Sequence, residues 1–344
     1  MNETRRLDLA LQGGGAHGAF TWGVMDRLLE DERIEIEGIS GTSAGAMNGV
    51  VMADALTRGD AATARTALRE FWRAVSQAGM ASPVRRTPLD MLTGNWSLDH
   101  SPGYIALDLM SRLVSPYQFN PFDINPLRDI VAARVDFERV RACQDLKLFV
   151  TATNVRSGKQ RIFSREEMSL DAVMASACLP TVFQAVEIDG EAYWDGGYMG
   201  NPSLSPLLHE CTAGDIMVVQ ITPLYRADVP TSAADIMNRL NEITFNAALI
   251  KEMKTIAMLQ ELLAEHDIDV GCYRQARLHH LSGDEPLSHL SASSKLNPEW
   301  AFLCHLHELG RSATDAWLAQ HFDDLGKRAT LDFAHIFQEA EPRR

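Results

Sequence analysis

The sequence Gly41-Thr42-Ser43-Ala44-Gly45 places a serine between two glycines, where a predicted strand meets a predicted helix. In this context a GxSxG pattern is typical of a serine nucleophile, because the flanking glycines permit a tight turn that exposes the hydroxyl. The N-terminus of the following helix also favours negative charge that develops there. Ser43 is therefore the candidate nucleophile, supported by Gly41 and Gly45. An N-cap serine in a glycine-rich turn is the alternative.

A second glycine-rich turn, of sequence GGGAHG, precedes Ser43 by thirty residues and again lies between a predicted strand and a predicted helix. Since both turns follow strands of one sheet, the backbone N–H groups of this turn should lie beside Ser43. Consecutive glycines let such groups converge on an oxyanion, and each well-placed donor contributes about 3 to 4 kcal/mol of transition-state stabilisation. The predicted oxyanion hole is Gly13, Gly14 and Gly15, supported by Gly18.

The same glycines also fit the GxGxxG pattern of a dinucleotide-binding turn. That pattern requires an acidic residue about 20 positions further on, at the end of the second strand, and Glu35 or Glu37 could fill this role. The second strand, however, runs directly into the Ser43 turn, which a ribose site does not need. A hydrolase is favoured, and an NAD-dependent dehydrogenase stays an alternative.

A serine hydroxyl attacks only while a positioned base removes its proton. The sequence Asp195-Gly196-Gly197 follows a predicted β-hairpin that turns at Asp189 and Gly190. The two glycines that follow the carboxylate residue would let neighbouring backbone approach closely at the end of the strand. Partial burial beside Trp194 would raise the pKa of Asp195 towards the range of a working base. Asp195 is the candidate general base, and a plain Asp-Gly-Gly turn is the alternative.

Strand-like and helix-like patterns alternate along the first sixty residues, which predicts two strand–helix units and hence a parallel sheet. Further buried strands are predicted at residues 146–155 and 215–222, and a short helix begins at Ser169. The pattern is that of an α/β protein. Residues 1–225 are expected to form a catalytic domain, and residues 226–344 a helix-rich extension packed on it.

Residues 61–125 break this regularity, since a helix through Phe71 and Trp72 is followed by proline, glycine and aromatic residues. Such a stretch predicts a cap or lid over the site, or else a loop-rich insertion whose aromatic residues pack on the core. Apolar residues then recur at helical spacing over residues 236–259 and 300–322. We interpret these stripes as core-facing helix surfaces, with membrane-binding helices as the alternative.

The formal net charge of −14 argues against a nucleic-acid partner, because phosphate binding requires clustered Lys and Arg residues. No apolar stretch reaches the roughly 20 residues of a membrane span, and Asp8 and Gln12 interrupt the N-terminal apolar run. We expect a cytoplasmic, soluble protein, and peripheral contact with a membrane or lipid surface stays open. The cysteines form no metal-ligand pattern and should be free thiols. They are Cys143, Cys178, Cys211, Cys272 and Cys304.

The order and spacing of the GGGxxG, GxSxG and DGG motifs resemble the patatin-like phospholipase family over residues 7–206. This resemblance implies a three-layer α/β/α sandwich with a mostly parallel central sheet, a Ser43–Asp195 dyad and a glycine-loop oxyanion hole. It also implies that no metal or nucleotide cofactor is needed. His17 stands where the family commonly has Arg or Lys. When protonated it could contact an oxyanion or a lipid phosphate; a loop residue without a chemical role is the alternative.

These features predict a two-step acyl transfer on an acyl-lipid ester, either phospholipid or neutral, through an acyl-enzyme intermediate. A Ser-His-Asp hydrolase is the nearest enzymatic alternative, although its nucleophile would follow several strands. The histidines other than His17 form no such arrangement with Ser43, and His279 and His280 fall in a predicted edge strand. From a different class, the chain could be a lipid- or granule-binding scaffold with a vestigial dyad.

Overall fold

The computed structural model describes residues 4–266, 273, 276–288 and 290–331. The strands within them are β1 (Arg5–Leu11), β2 (Ile34–Gly41), β3 (Lys147–Asn154), β4 (Gln160–Ser164), β5 (Val186–Ile188), β6 (Glu191–Asp195), β7 (Asp215–Gln220) and β8 (Arg277–Ser282). They form a sheet in the order β5-β6-β3-β2-β1-β7-β8, with β4 paired to β3. The neighbouring strands β3, β2, β1, β7 and β8 are parallel to one another. β4 and β6 pair with β3 in antiparallel fashion, and β5 pairs with β6 in the same way. The mostly parallel sheet is confirmed.

The helices in the described residues are α1 (Gly18–Glu30), α2 (Ala44–Leu56), α3 (Ala61–Gly79), α4 (Pro88–Leu92), α5 (Pro102–Leu113), α6 (Pro116–Phe119), α7 (Pro126–Arg134), α8 (Phe137–Ala142), α9 (Leu170–Ser176), α10 (Ser205–Glu210), α11 (Ala233–Glu265), α12 (Asp284–Leu287) and α13 (Trp300–His321). Several begin at a side chain that caps the free amides of the first turn. Asp60 accepts from the Thr63 amide, and Ser169 accepts from the Ala172 amide. The Ser169 cap confirms the predicted start of α9.

Successive side chains of β1 face opposite sides of the sheet, and both sides are covered by helices. Leu7, Leu9 and Leu11 lie in a large core with side chains of α1, α2, α3 and α13. Ala10 lies in a second core with side chains of α10 and α11. Helices on both faces of one sheet make the three-layer α/β/α sandwich that was predicted. Because helices cover both faces of the sheet, successive residues of its central strands are apolar, and these strands appear in the sequence as continuous apolar runs.

The hairpin that leads to Asp195 has the predicted geometry. Asp189 and Gly190 join β5 to β6 and both have positive φ values, 52° and 79°. Two successive positive φ angles are the signature of a type I′ turn. The turn fixes where β6 starts, and the strand delivers Asp195 at its end.

The C-terminal region supplies a strand as well as helices. β8 lies parallel to β7 at the end of the described sheet, which confirms the edge-strand prediction for His279 and His280. α13 packs along α1 and buries Phe302, Leu303 and Leu306, so its apolar stripe faces the core as predicted.

The prediction of a core-facing stripe is wrong for the first turns of α11. Met253 and Ile256 are buried in the core over β7, and the contribution of α11 to that core begins at Leu249. The earlier turns lie outside this core, so apolar side chains there meet solvent. The residues concerned, each 42–52% exposed, are Ile236, Leu240 and Ile243. Helical periodicity identified the apolar face but not how far along the helix that face is covered.

Residues 61–125 divide into two parts. α3 is a core helix whose Phe71 and Trp72 are buried, and Trp96 stacks on Phe302 with ring centroids 5.1 Å apart. The stretch from the end of α3 to the start of α7 instead carries exposed apolar side chains. We call this set the apolar surface of the insertion: Met80, Leu89, Met91, Leu92, Ile105, Leu109, Met110, Leu113, Tyr117, Phe122 and Ile124. The aromatic packing predicted for this segment is thus present at Phe71, Trp72 and Trp96, and the cap or lid over the site stays a prediction.

No helix in the described part of the chain is long and apolar enough to cross a membrane. Four of the cysteines carry free thiols, and Cys272 lies outside the described residues. The free thiols are Cys143, Cys178, Cys211 and Cys304.

Candidate active site

The register of β1 and β2 brings the two glycine-rich turns together. Leu11, the last residue of β1, pairs with Gly41, the last residue of β2. Because parallel strands end at the same edge of a sheet, the turns that follow begin side by side. A Cβ atom added to Gly13 would lie 2.7 Å from Cβ of Ser43 and 2.9 Å from the carbonyl oxygen of Thr42. The glycine loop therefore lies directly against Ser43, with no space for a side chain between them.

Ser43 occupies a tight turn between β2 and α2. Its φ of 52° and ψ of −117° lie in a region that costs a non-glycine residue about 1 to 3 kcal/mol. The Ser43 amide donates to Oγ of Ser176 at 2.9 Å, and the Gly45 amide donates to the Thr42 carbonyl oxygen at 2.9 Å. These bonds hold the strained turn. The Ser43 residue stays partly exposed, whereas Thr42 and Ala44 on either side are buried.

Asp195 ends β6 and is buried, with 1% of its surface exposed. Its position is set by the pairing of β6 with β3, in which Asp195 lies opposite Ala152. Burial raises the pKa of Asp195 to about 7, although hydrogen bonding from the Gly197 amide, at 2.7 Å, and from the Ser43 side chain lowers it. A carboxyl with a pKa near 7 is suited to act as a general base at neutral pH.

The three glycines of the loop differ in their contacts. The Gly13 amide donates to Oδ1 of Asn201 at 2.7 Å, so it already has an acceptor. Within the described part of the chain, the amides of Gly14 and Gly15 donate to no protein acceptor. Gly15 has a φ of 58°, a left-handed conformation that glycine adopts without strain, and its Cα lies against the carbonyl of Lys295. Gly13 thus differs from Gly14 and Gly15, and their role as an oxyanion hole stays a prediction.

The other motif glycines let backbone segments approach one another closely. At each of them an added Cβ atom would strike a neighbour, mostly backbone or a packed ring. The glycines and the neighbours concerned are Gly18 with Ala44, Gly41 with Gly45, Gly45 with Leu11, Gly196 with Thr151, and Gly197 with Phe245. Glycine at these positions is therefore a packing requirement of the two turns and of the Asp195 loop.

His17 is buried, with 3% of its surface exposed. Its Nε2 atom and Oγ of Ser294 lie 2.7 Å apart, and its ring meets Phe302 edge-on. These contacts join the glycine loop to the segment that contains Ser294. A contact between His17 and substrate stays a prediction.

Three polar side chains that no motif marks hold the loops of the site. Gln12 donates from Nε2 to Oδ1 of Asn246 at 3.0 Å and accepts the Ile221 amide at Oε1. Asn201 holds Gly13, and Ser176 holds Ser43, as described above. Gln12 could have been noticed as a polar residue ending an apolar strand. Asn201 and Ser176 lie in irregular or helical stretches, and their sequence context gives no comparable signal.

A histidine–aspartate pair occurs elsewhere in the fold. Nε2 of His279 lies 2.9 Å from Oδ1 of Asp215, the first residue of β7. This pair is at the amino-terminal end of β7, whereas Ser43 follows the carboxyl end of the parallel strand β2, so the two lie at opposite edges. Among the described residues, no group of three His, Cys, Asp or Glu side chains is placed to hold a metal ion.

Several solved structures resemble this chain at low sequence identity. VipD from Legionella pneumophila is 16% identical with a TM-score of 0.43, and the match covers 93% of this chain and 67% of that one. The type III effector protein ExoU is 14% identical with a TM-score of 0.36, covering 93% of this chain and 54% of that one. The ExoU–SpcU complex from Pseudomonas aeruginosa is 18% identical with a TM-score of 0.31, and the match covers 93% of this chain and 60% of that one. The chain thus spans between about half and two thirds of the length of these proteins.

The family described as patatin-like phospholipase matches residues 9–208. This range is more than half of the chain. It contains the glycine loop, the Ser43 turn and the Asp195 loop, which the fold brings to one edge of the sheet. The chain belongs to the patatin-like phospholipase family.

Proposed function

We propose that this chain is a serine-dependent carboxylic-ester hydrolase that cleaves acyl lipids through a Ser43–Asp195 dyad. Family membership supports lipid hydrolysis in general. The observation that carries the proposed dyad is the buried carboxylate of Asp195, whose pKa is raised to about 7 and which interacts with the side chain of the strained Ser43.

Acylation begins when ionised Asp195 accepts the proton of the Ser43 hydroxyl. The hydroxyl oxygen then attacks the ester carbonyl carbon and forms a tetrahedral intermediate. When the intermediate collapses, Asp195 returns the proton to the leaving alcohol and the acyl group remains on Ser43. A base with a pKa near 7 suits both transfers, because it accepts and releases a proton at similar free energy.

The tetrahedral oxyanion is stabilised by backbone amides of the glycine loop. Gly14 and Gly15 supply the donors, because the Gly13 amide is already bonded to Asn201. Gly13 contributes by letting the backbone of the loop lie directly against Ser43, where a side chain would clash. Amides fixed before the reaction starts stabilise the developing charge without reorganising, which is the usual source of this effect. Water, activated by Asp195, then releases the fatty acid and restores Ser43. No metal or nucleotide enters this scheme.

The part of the insertion that carries the apolar surface acts as a cap on the site. Two of its hydrogen bonds reach segments that lead to the site. The Leu98 amide donates to Oγ of Ser293, two residues from Lys295, which covers Gly15. Nε2 of Gln184, in the chain before β5, donates to the Asn120 carbonyl oxygen. The apolar surface would then contact the lipid from which the substrate is drawn.

The proposal is tested by hydrolysis of p-nitrophenyl esters of increasing acyl length by the wild type and by Ser43→Ala and Asp195→Asn. A chelator is present throughout. Ser157→Ala and Asp228→Asn, both at exposed positions, serve as matched controls. We expect the dyad substitutions to lower kcat/KM by about 10³-fold or more and the controls to change it less than about twofold. Circular dichroism checks that each variant is folded.

Equal rates in all five folded proteins would rule out the dyad for these esters. That result would favour the lipid- or granule-binding scaffold with a vestigial dyad. Loss of activity with Ser43→Ala but not with Asp195→Asn would point to a different base.

A further inference from the structure

A group of cations lies next to the glycine loop in a chain whose net charge is −14. Its members are Arg226, Arg239 and Lys295, and they surround Glu242 of α11. Oε1 of Glu242 lies 2.6 Å from Nη2 of Arg226, and Oε2 lies 2.9 Å from Nη1 of Arg239. Asp284 is a second carboxyl in this group, and it interacts with Arg226. The group as named thus holds three cations and two carboxyls.

The group is connected to the catalytic loops from two sides. Lys295 covers the glycine loop with its carbonyl and with its Cβ atom, which lies 3.5 Å from where a Cβ atom on Gly15 would be. From the other side, α11 places Glu242 one turn before Phe245 and Asn246. Phe245 packs on Gly197, next to Asp195, and Asn246 bonds Gln12 at the start of the glycine loop.

Lys295 is attracted to Glu242, but unlike the two arginines it makes no direct ion pair with this carboxylate. Glu242 is 4% exposed and its two oxygens are bonded to the two arginines, which hold its pKa low against the effect of burial. Among the described residues, no hydrogen bond or ion pair within 4.0 Å involves the Lys295 ammonium. The Lys295 residue as a whole is partly exposed, while its ammonium lies in a largely desolvated environment. Burial lowers the pKa of Lys295, Glu242 raises it and Arg226 lowers it further, so an added anion would be favourable.

The position of Lys295 is well fixed. Arg226 donates to the carbonyl oxygens of Ser288 and Leu290 as well as to Glu242, which ties α11 to the chain leading to Lys295. Ser294, the preceding residue, is bonded to His17 of the glycine loop. These contacts fix the chain on either side of Lys295, so only its side chain has to be ordered when it binds a ligand.

We infer that Lys295, with Arg226 and Arg239 behind it, binds the phosphate of a phospholipid headgroup while the acyl ester of the same lipid lies at Ser43. This inference rests on the proposed function and names its substrate class. In a glycerophospholipid one glycerol carries both the phosphate and the scissile ester, so the two groups must bind at neighbouring sites. Here Gly15 lies against Lys295 and belongs to the loop beside Ser43. Lysine is a common phosphate ligand because its ammonium acts as a compact point charge.

The test compares two substrates with the same acyl chains, dihexanoyl phosphatidylglycerol and dihexanoylglycerol, both below their aggregation limits. The measured quantity is the ratio of kcat/KM for the phospholipid to kcat/KM for the neutral lipid. We expect Lys295→Met to lower this ratio about tenfold or more and Lys295→Arg to recover most of it, as loss of one charged hydrogen bond predicts. Lys251→Met, at an exposed position on α11, is the matched control and should leave the ratio unchanged.

An unchanged ratio in Lys295→Met would overturn the inference, as would an equal loss on both lipids, because that indicates a structural role. A third arm adds inorganic phosphate as an inhibitor of dihexanoylglycerol hydrolysis. If free phosphate inhibits through Lys295 while the phospholipid ratio does not depend on Lys295, the site binds free phosphate and the headgroup inference fails.

Failure of the proposed function would look different. If the wild type cleaves neither lipid, the dyad proposal fails, and the headgroup site is tested by binding alone. Isothermal titration with dihexanoyl phosphatidylglycerol should then give an affinity about tenfold weaker for Lys295→Met than for the wild type or Lys251→Met. Equal affinities in the three proteins would overturn the inference independently of catalysis.

Discussion

The β1–α2 region and the insertion beyond α3 meet at the same site but are built on opposite principles. In the β1–α2 region, glycines let backbones touch, the strands are buried, and Ser43 is held in a strained turn. In the insertion, short helices carry an exposed apolar surface, and Leu92 and Phe122 are each 86% exposed. In the first region an added side chain would clash with its neighbours, whereas the second region leaves apolar side chains exposed. Under the proposed function, catalytic geometry therefore depends on the first region, and access of lipid depends on the second.

The two regions are joined by the chain from Ser291 to Asn297. Ser294 bonds His17 of the glycine loop, while Ser293 accepts the Leu98 amide and Asn297 donates to the Trp96 carbonyl oxygen in the insertion. Lys295 lies between these contacts. The C-terminal third of the protein thus positions the insertion relative to the catalytic loops.

Matched glycine substitutions give the largest expected difference between the two regions. A Cβ at Gly45 would collide with the Leu11 carbonyl, so Gly45→Ala should destabilise the fold by more than about 3 kcal/mol. Gly94 of the insertion has open space around it and a φ of 69°, so Gly94→Ala should cost only about 1 kcal/mol of backbone strain. Urea unfolding measures both values. Similar losses would contradict the contrast between the regions.

The pH dependence of activity should reflect Asp195. A base must be ionised to act, and burial raises the pKa of this carboxyl to about 7. With a soluble ester, kcat/KM should therefore be half-maximal near pH 7 and fall about tenfold per unit at lower pH. Phe122→Ser, in the insertion, should keep the same midpoint. A wild-type midpoint near pH 4 would mean that Asp195 is not the base, or is not buried during catalysis.

The same carboxyl should lower the stability of the folded state at alkaline pH. Because its pKa is about 7 when folded and near 3.8 when unfolded, the folded state binds the extra proton between these values, and stability falls as pH rises through them. Asp195→Asn removes this cost. We expect it to stabilise the protein by on the order of 2 kcal/mol at pH 8, with a smaller gain at pH 5. Thermal unfolding at both pH values is the measurement, and destabilisation at pH 8 would argue against a buried ionised carboxylate.

The apolar surface of the insertion should give the smallest change in stability. Leu92→Ser and Phe122→Ser remove exposed side chains, so each should change the free energy of unfolding by less than about 0.5 kcal/mol. Hydrolysis of phospholipid vesicles should nevertheless fall about threefold to tenfold, since less apolar area contacts the bilayer, while hydrolysis of a soluble ester is kept. Leu68→Ala, a buried control in α3, should cost about 2 to 5 kcal/mol. A comparable loss for Leu92→Ser would place that side chain in the core.

Much of the site could be predicted because local rules determine it. Two strand–helix units imply a parallel sheet, parallel strands end at one edge, and so the turns at Gly13 and Ser43 had to meet. The Asp189-Gly190 turn predicted the hairpin that presents Asp195. Glycine at each close approach follows from the same geometry.

Other features depend on contacts between distant parts of the chain, which no local pattern records. Lys295 reaches Gly15 only because β8 and α13 return the chain to the glycine loop. Asn201 and Ser176 act by bonding backbone amides far away in sequence. In α11, periodicity marked Ile236 as apolar, yet only the tertiary structure shows that nothing among the described residues buries it.

The proposed dyad is tested most sharply by labelling with an alkyl fluorophosphonate, in which the serine oxygen attacks phosphorus and fluoride leaves. We expect one adduct per chain, located on Ser43 by peptide mass spectrometry, formed at least about 100-fold more slowly in Asp195→Asn and at the normal rate in Ser157→Ala. An adduct on another residue, no adduct on the folded protein, or equal rates in the wild type and Asp195→Asn would refute the dyad.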